Sequence, residues 1–142
     1  MESMNKLFIH ATNIHLGGGK VLLDELIKTR AFKGNRIMLL DKRMEVSNDL
    51  TSADSVKRFA PTLLQRFLAE WWLTRNVGQT DTVLCFGNLP PLFKLRGHVV
   101  VFLQNRYLLE NVSLSKCTRK ERLRLRVERL WIRFKFGNVD QF

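Results

Sequence analysis

The apolar positions of this chain fall into two kinds of run that alternate along it. "KLFIHA" (Lys6–Ala11) is short, apolar and followed by turn-forming residues, which predicts a buried strand. From Gly18 to Arg30 the period changes, with Leu22, Leu23, Leu26 and Ile27 on one helical face and Asp24, Glu25 and Lys28 opposite. "NRIMLLD" (Asn35–Asp41), entered through the turn signal "KGN", predicts a second buried strand, and "SVKRFA" (Ser55–Ala60) a third, weaker one. After Pro61, which presets a helical first turn, Leu63, Leu64, Phe67, Leu68, Trp71 and Trp72 form a wide stripe that Gly78 stops. The stripe reads as the side of a helix packed on a sheet, with an aromatic binding face as the alternative. "DTVLCFG" (Asp81–Gly87) and "HVVVFLQN" (His98–Asn105) are near-continuous apolar runs, as in parallel strands covered on both faces. Last comes the basic helical stretch "SKCTRKERLRLRVERLWIRFKFGN", after which "VDQF" opens another apolar run. Strand and helix in alternation predict an α/β fold, doubly wound around a mainly parallel sheet with helices on both faces.

Composition narrows this only where it is unusual. The chain has 142 residues, the length of one domain, and 45% hydrophobic against 26% charged residues is ordinary for a globular protein. The charge is not ordinary: 24 Lys+Arg against 13 Asp+Glu leave +11, which asks for a polyanionic neighbour such as nucleic acid, an anionic membrane or a phosphorylated substrate. Cys85 and Cys117 are too few for a disulfide framework or a zinc site, which points to a reducing cytoplasm. "MESMNKLFIHA" does not read as a signal peptide, and no window approaches the roughly 18 apolar residues of a membrane span.

The chemistry concentrates after the first strand. Gly17, Gly18 and Gly19 lie in the strand-to-helix loop that approaches a phosphate in open parallel sheets. Without Cβ atoms they let backbone N–H groups come close to an anion, and the following helix adds its positive end. They are not a P-loop, because Lys20 is followed by Val21 and the glycine spacing is wrong. Nor are they the dinucleotide fingerprint, since "GGGKVL" lacks the third glycine.

"IHLGGGKVLLDEL" (14–26), "VLCFGNLPPLF" (83–93) and "VVVFLQNRYLL" (99–109), in this order and spacing, resemble the N-terminal domain of retaining GT-B glycosyltransferases. More narrowly they are similar to the group that builds bacterial surface polysaccharides. The resemblance runs from about His10 onward. It implies residues 1–142 as one Rossmann-like, acceptor-side domain, facing a C-terminal donor-binding domain that these residues do not contain. It implies retaining, metal-independent sugar transfer from a nucleotide sugar to a saccharide or lipid-linked acceptor, with no cofactor. Gly17, Gly18 and Gly19 would then face the donor diphosphate, with Asn13 and His15 in the same loop within reach of either substrate. Gly87 and Asn88 would line the acceptor cleft. Gln104, Asn105 and Arg106 end the strand where many relatives carry a histidine, so Asn105 or Arg106 would take its place. His10 and His98 read as structural. The family's E-x7-E pair is missing: six residues separate Glu121 from Glu128, which read as solvated acids balancing arginines. The expectation is a truncated chain that does not complete transfer alone and exposes surface open to self-association.

The basic helix carries a second expectation. Between Thr118 and Phe136 a stripe of Leu123, Val127, Leu130 and Phe134 is widened by Leu125, Trp131, Ile132 and Phe136. Arg119, Lys120, Arg122, Arg124, Arg126, Arg129 and Arg133 fill the remainder. Such a helix suits an anionic headgroup layer, placing the protein in the cytoplasm with a peripheral hold on the inner face of the membrane. The membrane-facing set is Arg119, Lys120, Arg122, Arg126, Arg129, Trp131 and Arg133. The rival reading is a basic nucleic-acid-binding α/β domain, although no zinc finger, ribonucleoprotein motif or KH-type loop is present.

Overall fold

Five parallel strands build one sheet: β1 (Leu7–Ala11), β2 (Arg36–Asp41), β3 (Asp54–Phe59), β4 (Thr82–Phe86) and β5 (His98–Phe102), in the order β3-β2-β1-β4-β5. A computed structural model of the chain describes residues 5–29, 32–46, 50–52, 54–104 and 114–142. The central strand β1 sets Ile9 beside Met38 of β2 and Leu84 of β4. This is the Rossmann-like α/β arrangement, and each strand lies within a residue or two of the apolar run that predicted it where the residues are described. Beside β5, Gln141 forms a parallel bridge with Val100, so "VDQF" does lie along the sheet.

Strand alternation sorts the core into two layers. Ile9 and Ala11 point to one face, where Leu23 and Ile27 of α1 (Gly17–Lys28) pack with Met38 and Leu40. Phe8 points to the other, with Leu39, Val83 and Cys85, against Ala69 and Leu73 of α2 (Leu63–Asn76). Helices therefore cover both faces. The third helix, α3 (Arg119–Lys135), buries Leu125 and Ile132 against Leu103 and Cys117. Its start is a capping box in which the Thr118 hydroxyl accepts from the Glu121 N–H and the Glu121 carboxylate accepts from the Thr118 N–H at 2.8 Å. Glu121 is thus a cap, not a charge balancing arginines, and these bonds hold its carboxyl below the usual range. Glu128 does balance an arginine, accepting from Arg124 at 2.9 Å.

The aromatic stripe of α2 departs from expectation. The helix turns Ala69, Glu70 and Leu73 inward and leaves Leu63, Leu64, Phe67, Leu68 and Trp71 exposed. The sheet accepts only a narrow strip of the helix, and Glu70 takes the central place in it. Phe67, Trp71 and Phe93 partly cover one another, with ring centroids 5.6 to 6.4 Å apart. Trp72 alone of the stripe's rings reaches the core, tilted against Phe8. The cap of α2 is Thr62, whose hydroxyl accepts from Gln65 N–H, so Pro61 precedes the helix instead of opening its first turn. Leu22 of α1 is likewise half outside, because only Leu23 and Ile27 face the sheet fully.

Two buried polar arrangements fix elements relative to one another. Arg36 forms a bidentate pair with Asp54, both bonds 2.7 Å, and donates to Ile27 O at 2.8 Å, tying β2, β3 and the end of α1 together. The Arg36 guanidinium holds the Asp54 carboxyl below its ordinary value. On the other face the buried Glu70 meets His10 Nε2 at 3.0 Å and accepts from Leu92 N–H at 3.1 Å. His10 is structural, as expected, while His98 stands at the surface near Asp140.

Candidate functional site

From β1 the chain moves outward through β2 to β3, and from β4 it moves the other way to β5. The direction reverses between β1 and β4, and at such a point the loops leaving the carboxyl ends part to form a crevice. The loop after β1 ends in the three glycines, and the loop after β4 begins with Gly87 and Asn88.

These two loops are stitched together. Asn13 Nδ2 donates to Gly87 O at 3.3 Å. Gly87 has φ +109°, and a Cβ there would lie 2.2 Å from Asn13 Oδ1, so the position requires glycine both for its backbone and for the approach of Asn13. Asn88 follows at φ 67°, and its Oδ1 accepts from Gln104 N–H at 2.5 Å, tying the end of β4 to the end of β5. Asn13, Gly87, Asn88 and Gln104 thus form one wall across three strands.

The glycines follow Asn13 in the same loop, beside this wall, and the three residues differ. Gly17, at φ +72°, makes the turn into α1, and a Cβ placed on it meets none of the described residues within 4 Å. Gly18 is already helical, equally open, and exposed. Gly19 lies under the Gln104 side chain, whose Oε1 is 2.9 Å from where its Cβ would be. Among the described residues, then, Gln104 sits over the third glycine and nothing over the first two. The N-cap of α1 is Leu16, which has no side-chain acceptor to offer, and the first turn holds no acidic residue. The amide end of α1 carries its positive potential toward solvent without internal compensation.

His15 does not turn to the glycines. Its Nδ1 lies 4.0 Å from Asp41 Oδ2, at the carboxyl end of β2. Asp41 is buried and accepts from Arg43 through both oxygens, at 3.0 and 2.7 Å, which holds its carboxyl below the usual range. Asn105 and Arg106 lie outside the described residues. Cys85 is buried beneath the crevice, and burial pushes its thiol well up, so it is no nucleophile. Among the described residues no group of three His, Cys, Asp or Glu side chains is placed to hold a metal ion.

The basic helix separates into two sides. Leu123, Val127, Leu130 and Phe134 form its outward stripe, 50% to 80% exposed. Arg119, Lys120, Arg126 and Arg133 are exposed alongside. Trp131, expected on the outer side, is turned in: its Nε1 donates to Pro90 O at 3.0 Å. Arg122 is folded back, donating to Cys117 O and Ser115 O. Arg129 is half-buried. No described helix is long and apolar enough to cross a membrane.

Gln104, Asp41 and Arg43 were not among the residues singled out as a site from the sequence. Asp41 carried a signal, an acid ending the second strand of a doubly wound sheet. Gln104 carried none beyond its place at a strand end. The chain matches no known family model, no curated protein and no solved structure.

Proposed function

We propose that this chain is the N-terminal, acceptor-side domain of a retaining glycosyltransferase that moves a sugar from a nucleotide-sugar donor to a saccharide or lipid-linked acceptor. The observation that carries the reading is Gly18. A glycine in the first turn of a helix costs stability relative to alanine, and here neither backbone conformation nor packing asks for one. Open room over a free amide is what an incoming diphosphate needs. In this reading the N–H groups of Gly17 and Gly18 meet the departing diphosphate as its charge develops, with the dipole of α1 behind them. The wall of Asn13, Gly87 and Asn88 receives acceptor hydroxyls. The donor's base and sugar fall to a second domain, so these 142 residues bind without turnover.

The test is amide-resolved titration of the chain with a nucleoside diphosphate sugar, NAD and ATP. Shifts centred on Gly17 and Gly18 are expected with the diphosphate sugar. Sugar transfer by the chain alone, or binding remote from the crevice, contradicts the reading. Mobility shifts against mixed DNA and RNA test the nucleic-acid alternative, and tight, salt-sensitive binding there would favour it.

The outward stripe of α3 supports a membrane partner. Apolar side chains at 123, 127, 130 and 134 on a single exposed line, with arginine and lysine beside them, match an anionic headgroup layer, each basic residue adding about 1 kcal/mol. Cosedimentation with anionic vesicles at low salt, and not with neutral ones, is the expected result. Equal partitioning into both refutes it.

A further inference from the structure

A hollow of about 300 Å³ opens on the same sheet edge, displaced from the glycines toward β2 and β3. Thr12 and Asn13 line it from the β1 loop, Arg43 from the β2 loop, and Thr62, Leu63 and Arg66 from the start of α2. Its electrostatics are lopsided. Arg43 is already matched by Asp41. Arg66 has no carboxylate partner among the described residues: the natural one, one helical turn on, is Glu70, which is turned into the core, where His10 and Leu92 N–H occupy it. Arg66 Nε is shut off from solvent and has no hydrogen-bond partner among the described residues, which leaves the terminal guanidinium nitrogens to meet a ligand. The guanidinium is held in place by the Trp131 ring, 5.2 Å from its centroid.

A half-buried guanidinium with no carboxylate beside it among the described residues leaves the hollow it lines positive and suited to an anion. The nearby start of α2 adds the first-turn N–H groups of Leu63 and Leu64, which have no acceptor within a helix, and the positive end of a 14-residue helix. Thr12 and Asn13 add groups that pair with hydroxyls, and the volume sits at the small end of ligand pockets. We infer that this hollow is a phosphomonoester subsite for a small hydroxylated ligand, with Arg66 and the α2 amides on the phosphate and Thr12 and Asn13 on the hydroxyl-bearing part. Planar two-point donation from arginine suits phosphate oxygens. The subsite shares Asn13 with the acceptor wall proposed above, but its phosphate contacts do not involve the glycine loop and do not depend on that reading.

The phosphate could belong to a free sugar phosphate or to a lipid headgroup, and the experiment separates them. The chain is titrated with glucose 6-phosphate, with glucose, and with phosphatidic acid vesicles, following the amides of Leu63 and Leu64 and the Arg66 side chain. Glucose 6-phosphate is expected to shift these signals and glucose is not. Arg66→Met weakens binding by about tenfold or more, as loss of a charged hydrogen bond predicts. Arg66→Lys falls between, and the exposed Arg75→Gln, outside the hollow, leaves binding unchanged. The glycine-loop reading is followed separately at the amides of Gly17 and Gly18, so failure here is distinct from failure there. Vesicle binding that depends on Arg66, without a response to the sugar phosphate, keeps the subsite and assigns it to lipid. Absence of shifts at Leu63 and Leu64 with both probes, or equal loss in Arg66→Met and Arg75→Gln, overturns it.

Discussion

Gly17 and Gly18 are neighbours with equally open surroundings, yet the same substitution should act on them with opposite sign. At Gly18 the backbone is helical and a Cβ meets nothing within 4 Å. Alanine there loses no contact, gains helix propensity and restricts the unfolded chain, which together stabilise by about 0.5–1 kcal/mol. For a chain of 142 residues that corresponds to a rise in Tm of about 2–5 °C. At Gly17 φ is +72°, where an L side chain costs about 1–2 kcal/mol, so Gly17→Ala should lower Tm by a similar or larger amount. Gly19→Ala is intermediate, since the flexible end of Gln104 has only to move aside. Urea and thermal unfolding of the three variants, compared at one pH, read all of this. A destabilising Gly18→Ala, or the same sign at 17 and 18, refutes the reasoning. If Gly18→Ala is stabilising and also weakens diphosphate-sugar binding, the glycine is there for the ligand and at the expense of the fold.

Three other outcomes follow from the geometry. Asp54 is held below its unfolded value of about 3.9 by Arg36, so the pair stabilises fully above that pH and loses its contribution as pH falls through the lower folded value. Asp54→Asn should cost about 3–5 kcal/mol at pH 7 and flatten the loss of stability in acid, read by urea unfolding from pH 7 to 3; an unchanged acid slope would count against this. Gly87→Ala should cost about 1–3 kcal/mol and displace the Asn13 side chain, seen as a moved amide signal; an unmoved one means that the loop relaxes instead. Iodoacetamide should modify the half-buried Cys117 well before the buried Cys85 in the folded chain, and equal rates by mass spectrometry would show Cys85 to be accessible.

The inner strands were readable because they are buried on both sides and so carry unbroken apolar runs, as in "RIMLLD", whereas the edge strand "DSVKRF", nowhere fully buried, gave the weaker signal. The glycine loop was readable from its position between a strand and a helix. Helix orientation was less legible. In α2 both the inward and outward sides offer large apolar groups, and the side that won contains Glu70, which no periodicity argument would place in a core. The choice depended on His10 and the Leu92 amide, distant in sequence and invisible to local spacing. Arg66 was hidden for the same reason. Among so many arginines nothing marks one as lacking a carboxylate until Glu70 is seen to be occupied elsewhere. In α3 the alternation of leucine and arginine identified the helix, while the inward turn of Trp131 depended on the Pro90 carbonyl.

The connection between β4 and β5 is gripped from three directions: by Glu70 of α2 at Leu92, by Trp131 of α3 at Pro90, and by Asn138 at Pro91 and Leu92. Neither outer helix can slide along the sheet without straining this proline-containing hub. The Pro90–Leu92 segment therefore ties α3 to α2 through hydrogen bonds that neither helix makes to the other directly.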